Sequence, residues 1–247
     1  MTTMWLSERS LEREYMDDHT PPQAVVDEIY RVLGAINRRL GGTRATLRRF
    51  DAISRGWRPG ERISVVEVAC GGGDIARALV AWGRAHGFDL RVTALDISAS
   101  ALDTARRRGS ADPRLRFVCA DVHRAPFLDG SVDYVTSTLF FHHLRDDEVV
   151  QTLRSFDRLA RRGVVVNDLI RRRRAFLWSW LITRPFNAIL RRDGPLSVRR
   201  AFRPGELATL AQRADVPWLS IHTHFGHRMT LAGERPPPSG PPTRRTP

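Results

Sequence analysis

The sequence contains no lysine, so all 40 of its basic side chains are arginine, and with 27 acids they leave a net charge of +13. That absence excludes Schiff-base chemistry on a lysine and any phosphate-binding loop that depends on one. The arginine clusters at 106–108, 171–174 and 199–200 are scattered and form no stripe interleaved with aromatics, so nucleic acid is not an expected partner. Cysteine is nearly absent as well. The two present, Cys70 and Cys119, both lie in apolar strand-like runs, and no secretory signal opens the sequence. A reducing, cytoplasmic setting is the expectation. The aromatic-rich stretch after Arg174 is too short to cross a bilayer.

What is present is 247 residues at 42% hydrophobic, enough for one substantial core. Residues 1–60 carry apolar residues at three- and four-residue spacing, interrupted at Pro21–Pro22 and Gly41–Gly42, and read as a helical cap. From residue 61 short apolar runs alternate with amphipathic stretches that begin at Asp or Ser. Runs apolar on both faces and separated by helices predict a doubly wound α/β fold whose parallel sheet is covered on both sides. Seven such runs occur, and the last two, 218–225 and 227–234, are joined so tightly that they must pair antiparallel. The sheet is therefore expected to be mostly parallel with a reversed last strand. One domain is expected over 61–234, with an insertion at 171–200 and a proline-rich, disordered tail at 235–247.

The stretch VVEVACGGGDIARAL, residues 65–79, passes from the first strand through three glycines into a helix. In a doubly wound sheet this turn is where backbone comes closest to a ligand, with the unpaired N–H groups of the next helix beside it. Acids recur at the neighbouring strands: Glu67 inside the first, Asp96 ending the second, Asp121 ending the third. Asp96 lies near the spacing at which a carboxylate meets ribose hydroxyls. An adenosine moiety fits. The glycines alone also satisfy a dinucleotide fingerprint, leaving open a nicotinamide oxidoreductase or a non-catalytic nucleotide-binding protein. Glu67 favours a cation over a pyrophosphate, because a nearby carboxylate repels the latter.

The segment VEVACGGGD resembles motif I of the class I S-adenosylmethionine-dependent methyltransferases, with Glu67, Ala69, Gly71 and Gly73 at its four positions and Cys70 between them. Ala69 stands where a first glycine is usual, a departure that costs little if its φ is negative. ALDIS is similar to motif II, which makes Asp96, with Ile97 beside it, the ribose-binding acid. VCADV is similar to the segment in which Asp121 and Val122 meet the adenine. DGSVDYVTSTLFFHHL resembles motif IV and its continuation in quinone and related small-molecule enzymes. The resemblance covers about residues 60–170 and implies S-adenosyl-L-methionine as cofactor in a Rossmann-like, seven-stranded sheet.

Methyl transfer asks the protein to align an acceptor and exclude water and, for a hydroxyl acceptor, to remove a proton. His142 and His143 follow the fourth strand and are the candidate base or orienting residues. No metal is expected, since adjacent histidines should point apart and no further ligand cluster appears at zinc spacing. Asn167 and Asp168 end the fifth strand, where they could contact a ligand or cap a helix. His222 and His224 share a face of a solvated edge. The insertion, with Phe176, Trp178, Trp180 and Phe186 among arginines, leaves two readings open: a cover over an apolar acceptor cavity, the favoured one, or a peripheral helix on an anionic membrane through 171–192. The expected reaction is O-methylation of a small hydrophobic, aromatic acceptor such as a phenol or polyketide, with C-methylation of a quinone ring as the alternative.

Overall fold

The computed structural model describes residues 6–109, 112–124, 127–225 and 227–236. Its centre is a seven-stranded sheet of order β3-β2-β1-β4-β5-β7-β6. The strands are β1 (Arg62–Val68), β2 (Asp89–Asp96), β3 (Leu115–Cys119), β4 (Val132–Thr138), β5 (Ala160–Leu169), β6 (Ser220–His224) and β7 (Arg228–Glu234). The first five run parallel, and β7 lies antiparallel between β5 and β6. This is the doubly wound sheet with a reversed last strand that the apolar runs predict. The order turns back between β1 and β4, and in such sheets a crevice opens at the carboxyl ends of that pair.

Alternation along each strand sends one set of side chains to each face. Val66, Val68, Val135, Val164 and Val166 pack under α6 (Asp146–Leu159) and α9 (Pro204–Arg213). Ile63, Val65, Val92, Tyr134 and Val165 pack under α3 (Gly42–Ile53), α4 (Asp74–Ala85) and α5 (Ala99–Arg108). The parity of β1 puts Glu67 on this second face, among apolar neighbours. Strand β3 departs from expectation. As an edge strand it is covered on one side only, and Cys119 is exposed rather than buried.

The amino-terminal region is helical, with α1 (Tyr15–Asp18), α2 (Gln23–Arg39) and α3, and the expected breaks fall at Pro22 and at Gly41, whose φ is 79°. The Trp57 indole N–H donates to the Tyr134 hydroxyl at 2.9 Å, and that hydroxyl donates to Glu234 at 2.6 Å, tying the end of the cap to β4 and β7. The insertion folds as a pair, α7 (Arg173–Thr183) and α8 (Ala188–Arg200), the latter running through Pro195. The expected inward aromatic cover is not what α7 presents. It buries Ala175 and Thr183 and turns Trp178 and Trp180 outward, 58% and 40% exposed, while Phe186 packs against α2 residues. Of the segment expected to be disordered, Arg235 instead extends β7 and binds Asp157 at 2.6 Å, and 237–247 lie outside the described residues.

Helix α4 approaches β2 so closely that a Cβ on Gly83 would stand 2.5 Å from the Leu90 Cβ, whereas one on Gly34 in α2 would make only ordinary contacts of 3.5 Å or more. Alanine is favoured over glycine by roughly 1 kcal/mol inside a helix, but overpacking a core costs roughly 1–3 kcal/mol. Gly34→Ala is therefore expected to raise the urea midpoint and Gly83→Ala to lower it.

Candidate functional site at the carboxyl edge of the sheet

The turn after β1 is built around one half-buried acid. Asp96 accepts from the Gly71 N–H at 2.7 Å and from the Ser98 N–H at 2.9 Å, so the end of β2 holds the loop after β1. Gly71 and Gly73 sit at φ 50° and 68°, and side chains on the loop would collide with its covers: a Cβ at Gly71 would lie 2.6 Å from the Tyr30 ring, and one at Gly73 2.7 Å from the Phe117 ring. Ala69 is at φ 55°, not at the negative value under which an alanine is cheap. A left-handed alanine costs about 1–2 kcal/mol. Leu139, in the matching position after β4, has φ 57°. Backbone strain thus sits on both strands flanking the crevice, where such outliers mark functional sites.

Beneath the loop, Glu67 is 2% exposed, and its Oε2 has no hydrogen-bond partner. Burial, with repulsion from Asp74 and Asp96, pushes its carboxyl well above the usual range, against one bond from the Ala76 N–H. Burial also raises Asp96, opposed by its backbone donors, and raises the Cys70 thiol further with the help of Glu67 and Asp96. The Ile97 side chain beyond β2 is 75% exposed, and Val122 is buried in the core. Asp121 lies two residues past β3 with its carboxylate bonded to the His123 N–H at 2.9 Å. Glu67 and Asp96 therefore share one electrostatic neighbourhood under the loop, and Asp121 stands apart from it.

The second grouping surrounds the histidines. His142 is 2% exposed, with Nδ1 2.7 Å from Asp168 Oδ1 and Nε2 3.6 Å from Glu14 Oε1. The Ser197 hydroxyl donates to that same Glu14 oxygen at 2.8 Å. Nδ1 of His143 lies 2.7 Å from Asp17, which Arg200 also holds at 2.6 Å, and the Arg200 guanidinium binds the backbone carbonyls of both histidines. The two rings do not point apart as expected. A short 3-10 turn over Phe141–His143 brings them together, centroids 4.2 Å apart and planes tilted by 37°. Donor atoms of Glu14, His142 and His143 come within 4.8 Å of one another, a set with metal-ligand chemistry. Each imidazole already has a carboxylate partner, and Arg200 adds a further positive charge.

Glu14, Asp17, Ser197 and Arg200 were not legible as site residues, because they come from α1 and α8, far from every motif. Tyr30, laid over the glycines by α2, carried no signal beyond its place in a helix. Asp168 binds His142, and Asn167 donates to the Gly42 carbonyl and to Thr46, so neither caps a helix. His222 and His224 bond locally to Ser220 and Thr230 on the outer strand pair.

Burial raises Glu14 from 4.5 to about 7, against the pull of His143 and of the Ser197 hydrogen bond. A carboxyl raised on folding stabilises the protein below its unfolded value and loses that contribution as pH climbs through the folded value. Relative to Glu14→Gln, the wild-type protein should hold its stability at pH 4 and lose up to about 3 kcal/mol by pH 8. Urea unfolding of both proteins across that range checks it.

Comparison with known proteins agrees with this geometry. Residues 65–163 match the family described as a methyltransferase domain. A demethylmenaquinone methyltransferase of Clavibacter sepedonicus is 38% identical over 102 residues, 41% of this chain and 36% of that protein. A ubiquinone/menaquinone biosynthesis C-methyltransferase of Rickettsia typhi is 29% identical over 91 residues, 36% of this chain and 37% of that protein. The matches thus span little more than a third of these curated relatives. Among solved structures, human N-acetylserotonin methyltransferase in complex with SAM superposes with a TM-score of 0.64 at 14% identity, covering 87% of this chain and 56% of that one. Residues 65–163 match the methyltransferase-domain family, and the sheet that carries them has the Rossmann-like fold of solved methyltransferase structures.

Proposed function

We propose that the chain is an S-adenosylmethionine-dependent methyltransferase that methylates a small hydrophobic, aromatic acceptor on oxygen. The observation that carries the cofactor reading is Glu67, a buried carboxyl with an unpartnered oxygen beneath a three-glycine turn, whose ionised form a cationic ligand would favour. Such an acceptor suits an ammonium and repels a diphosphate. The three-glycine turn with acids beneath and beside it fits such a group: Glu67 would hold the amino-acid end, Gly71 and Gly73 would give close approach, Asp96 beside Ile97 would take the ribose, and Asp121 with Val122 would hold the adenine. When bound, the cofactor supplies an electrophilic methyl on a sulfonium.

The chain's own work is alignment, dryness and one proton. Holding acceptor and methyl at attack distance contributes roughly 7–11 kcal/mol. The histidine cluster divides the remaining task. The His142 side chain is 3% exposed and engaged at both nitrogens, which suits orientation; that of His143 is 26% exposed with Asp17 behind Nδ1, which suits a base. Burial pushes Asp17 up, but the hydrogen bond and charge of His143, with Arg200, outweigh it and hold this carboxyl well below its usual range. It therefore stays anionic beside the His143 ring. The names of both curated relatives favour a second reading, C-methylation of a quinone ring, in which the acceptor's own enolate attacks and a base matters less.

Incubation with methyl-labelled S-adenosylmethionine and an organic-soluble cell fraction is expected to label a small apolar product, and mass spectrometry locates the methyl. For an oxygen acceptor His143→Ala should slow turnover about 10²–10⁴-fold, and for a ring carbon far less. Label appearing in protein or RNA instead would reject the acceptor class.

A further inference from the structure

One charged side chain at the same edge of the sheet has no part in the machinery above. Arg228 opens β7 opposite Leu169, one position beyond Asp168. It is 3% exposed, yet among the described residues no carboxylate lies within ion-pairing distance of it. One nitrogen, Nη2, donates to Asn37 Oδ1 at 2.7 Å, while Nε and Nη1 have no partner. Orphaned donors on a buried cation each cost about 1–3 kcal/mol, and more when charged, so a framework role would leave them satisfied. Their place is informative. Asn37 in turn donates to Asp74 at 3.3 Å, directly after the glycine turn, and Arg228 feels the charges of both Asp74 and Asp168. It stands between the cofactor turn and the histidine cluster. Gly42 leaves room for it, since a Cβ there would lie 2.9 Å from Nη2. Burial lowers the guanidinium to about 10, so it keeps its charge at neutral pH.

We infer that Arg228, backed by Asn37, is a buried subsite for an anionic oxygen of a bound reactant. Its Nε and Nη1, on two different edges of the guanidinium, are free donors, and each can give one charge-assisted hydrogen bond to a carboxylate or phenolate oxygen. This rests on the methyltransferase reading, which offers two sources: the carboxylate of the cofactor's amino-acid end, and the deprotonated hydroxyl of the acceptor.

The test measures binding of S-adenosylhomocysteine, of methylthioadenosine, which lacks the amino-acid end, and of 4-nitrophenol, whose anion is seen by absorbance, to wild type, Arg228→Met and Arg228→Lys. If the cofactor is the source, Arg228→Met weakens S-adenosylhomocysteine about tenfold or more and spares methylthioadenosine, with partial rescue by lysine. If the acceptor is the source, both nucleosides bind as before and the wild type alone shifts 4-nitrophenol toward its anion. In either case the melting temperature of Arg228→Met holds or rises, because orphaned donors have been removed. Unchanged binding of all three probes, with or without a fall in melting temperature, overturns the inference. Failure of the wild type to bind either nucleoside rejects the cofactor reading instead.

A separate observation concerns α7. Leu177, Trp178, Trp180 and Leu181 are exposed at 61, 58, 40 and 53%, and their three- and four-residue spacings put them on one side of the helix. Arg173, Arg174 and Arg184 fall on that side at either end, all exposed, with the Arg184 guanidinium 4.0 Å over the Trp180 ring. Exposed Arg191 and Arg192 of α8 add to the charge. No helix among the described residues is long and apolar enough to cross a membrane. Aromatic and leucine side chains ringed by arginine complement an anionic bilayer surface, and the geometry points to α7 as a peripheral membrane contact. The protein should co-sediment with vesicles containing phosphatidylglycerol and not with phosphatidylcholine alone, and Trp178→Ser with Leu181→Ser, or Arg174→Gln with Arg184→Gln, should abolish it. Absence of sedimentation, equal sedimentation of the variants, or a dimer in light scattering that the serine pair dissociates overturns this.

Discussion

The arrangement depends on one hydrogen bond, from the Gly71 N–H to Asp96, which fastens the turn after β1 to the end of β2. With the loop fixed there, its glycines lie close under Tyr30 and Phe117, and Glu67 is sealed beneath them with one oxygen unsatisfied. That oxygen makes the site selective. A buried acceptor with no donor destabilises the free protein and rewards any ligand that brings a positive N–H to it. The left-handed Ala69 and Leu139 add strain on the same two strands, so the crevice is the least relaxed part of an otherwise closely packed sheet.

A second layer of order comes from arginine. With no lysine available, the guanidinium forks bind several backbone carbonyls at once. Arg171 joins the carbonyls of Leu6 and Ala201 to Glu206, and Arg200 joins those of Glu12, His142 and His143 to Asp17. The amino-terminal strap, the α7–α8 pair and the turn after β4 are thereby one unit. This unit presents two adjoining imidazoles, each backed by a carboxylate, at the carboxyl edge of the sheet. A flexible ammonium could match neither the number nor the direction of these bonds.

The sheet was legible because periodicity in buried strands and turn chemistry are local properties: the seven runs, the glycine turn and the tight final pair each follow from a few adjacent residues. The failures were of three kinds. The left-handed φ of Ala69 and the exposure of Cys119 depend on neighbours the strand itself does not reveal. The outward aromatics of α7 were read as a cover, since a run of mixed arginine and tryptophan does not say which face meets the core. Glu14, Asp17, Arg200 and Arg228 went unnoticed because their roles arise only when segments more than a hundred residues apart are brought together. The pairing of His142 with Asp168 joins the turn after β4 to the end of the adjacent β5 and is open to a guess from topology, but its third partner, Glu14, is not.

Isothermal titration of the wild type and of Glu67→Gln with S-adenosylmethionine and with NADH tests whether the turn and the acid beneath it receive a positively charged nucleoside. Binding of S-adenosylmethionine to the wild type, weakened in Glu67→Gln, with no binding of NADH to either, is the predicted result. NADH binding in preference, or S-adenosylmethionine affinity indifferent to Glu67, would contradict it.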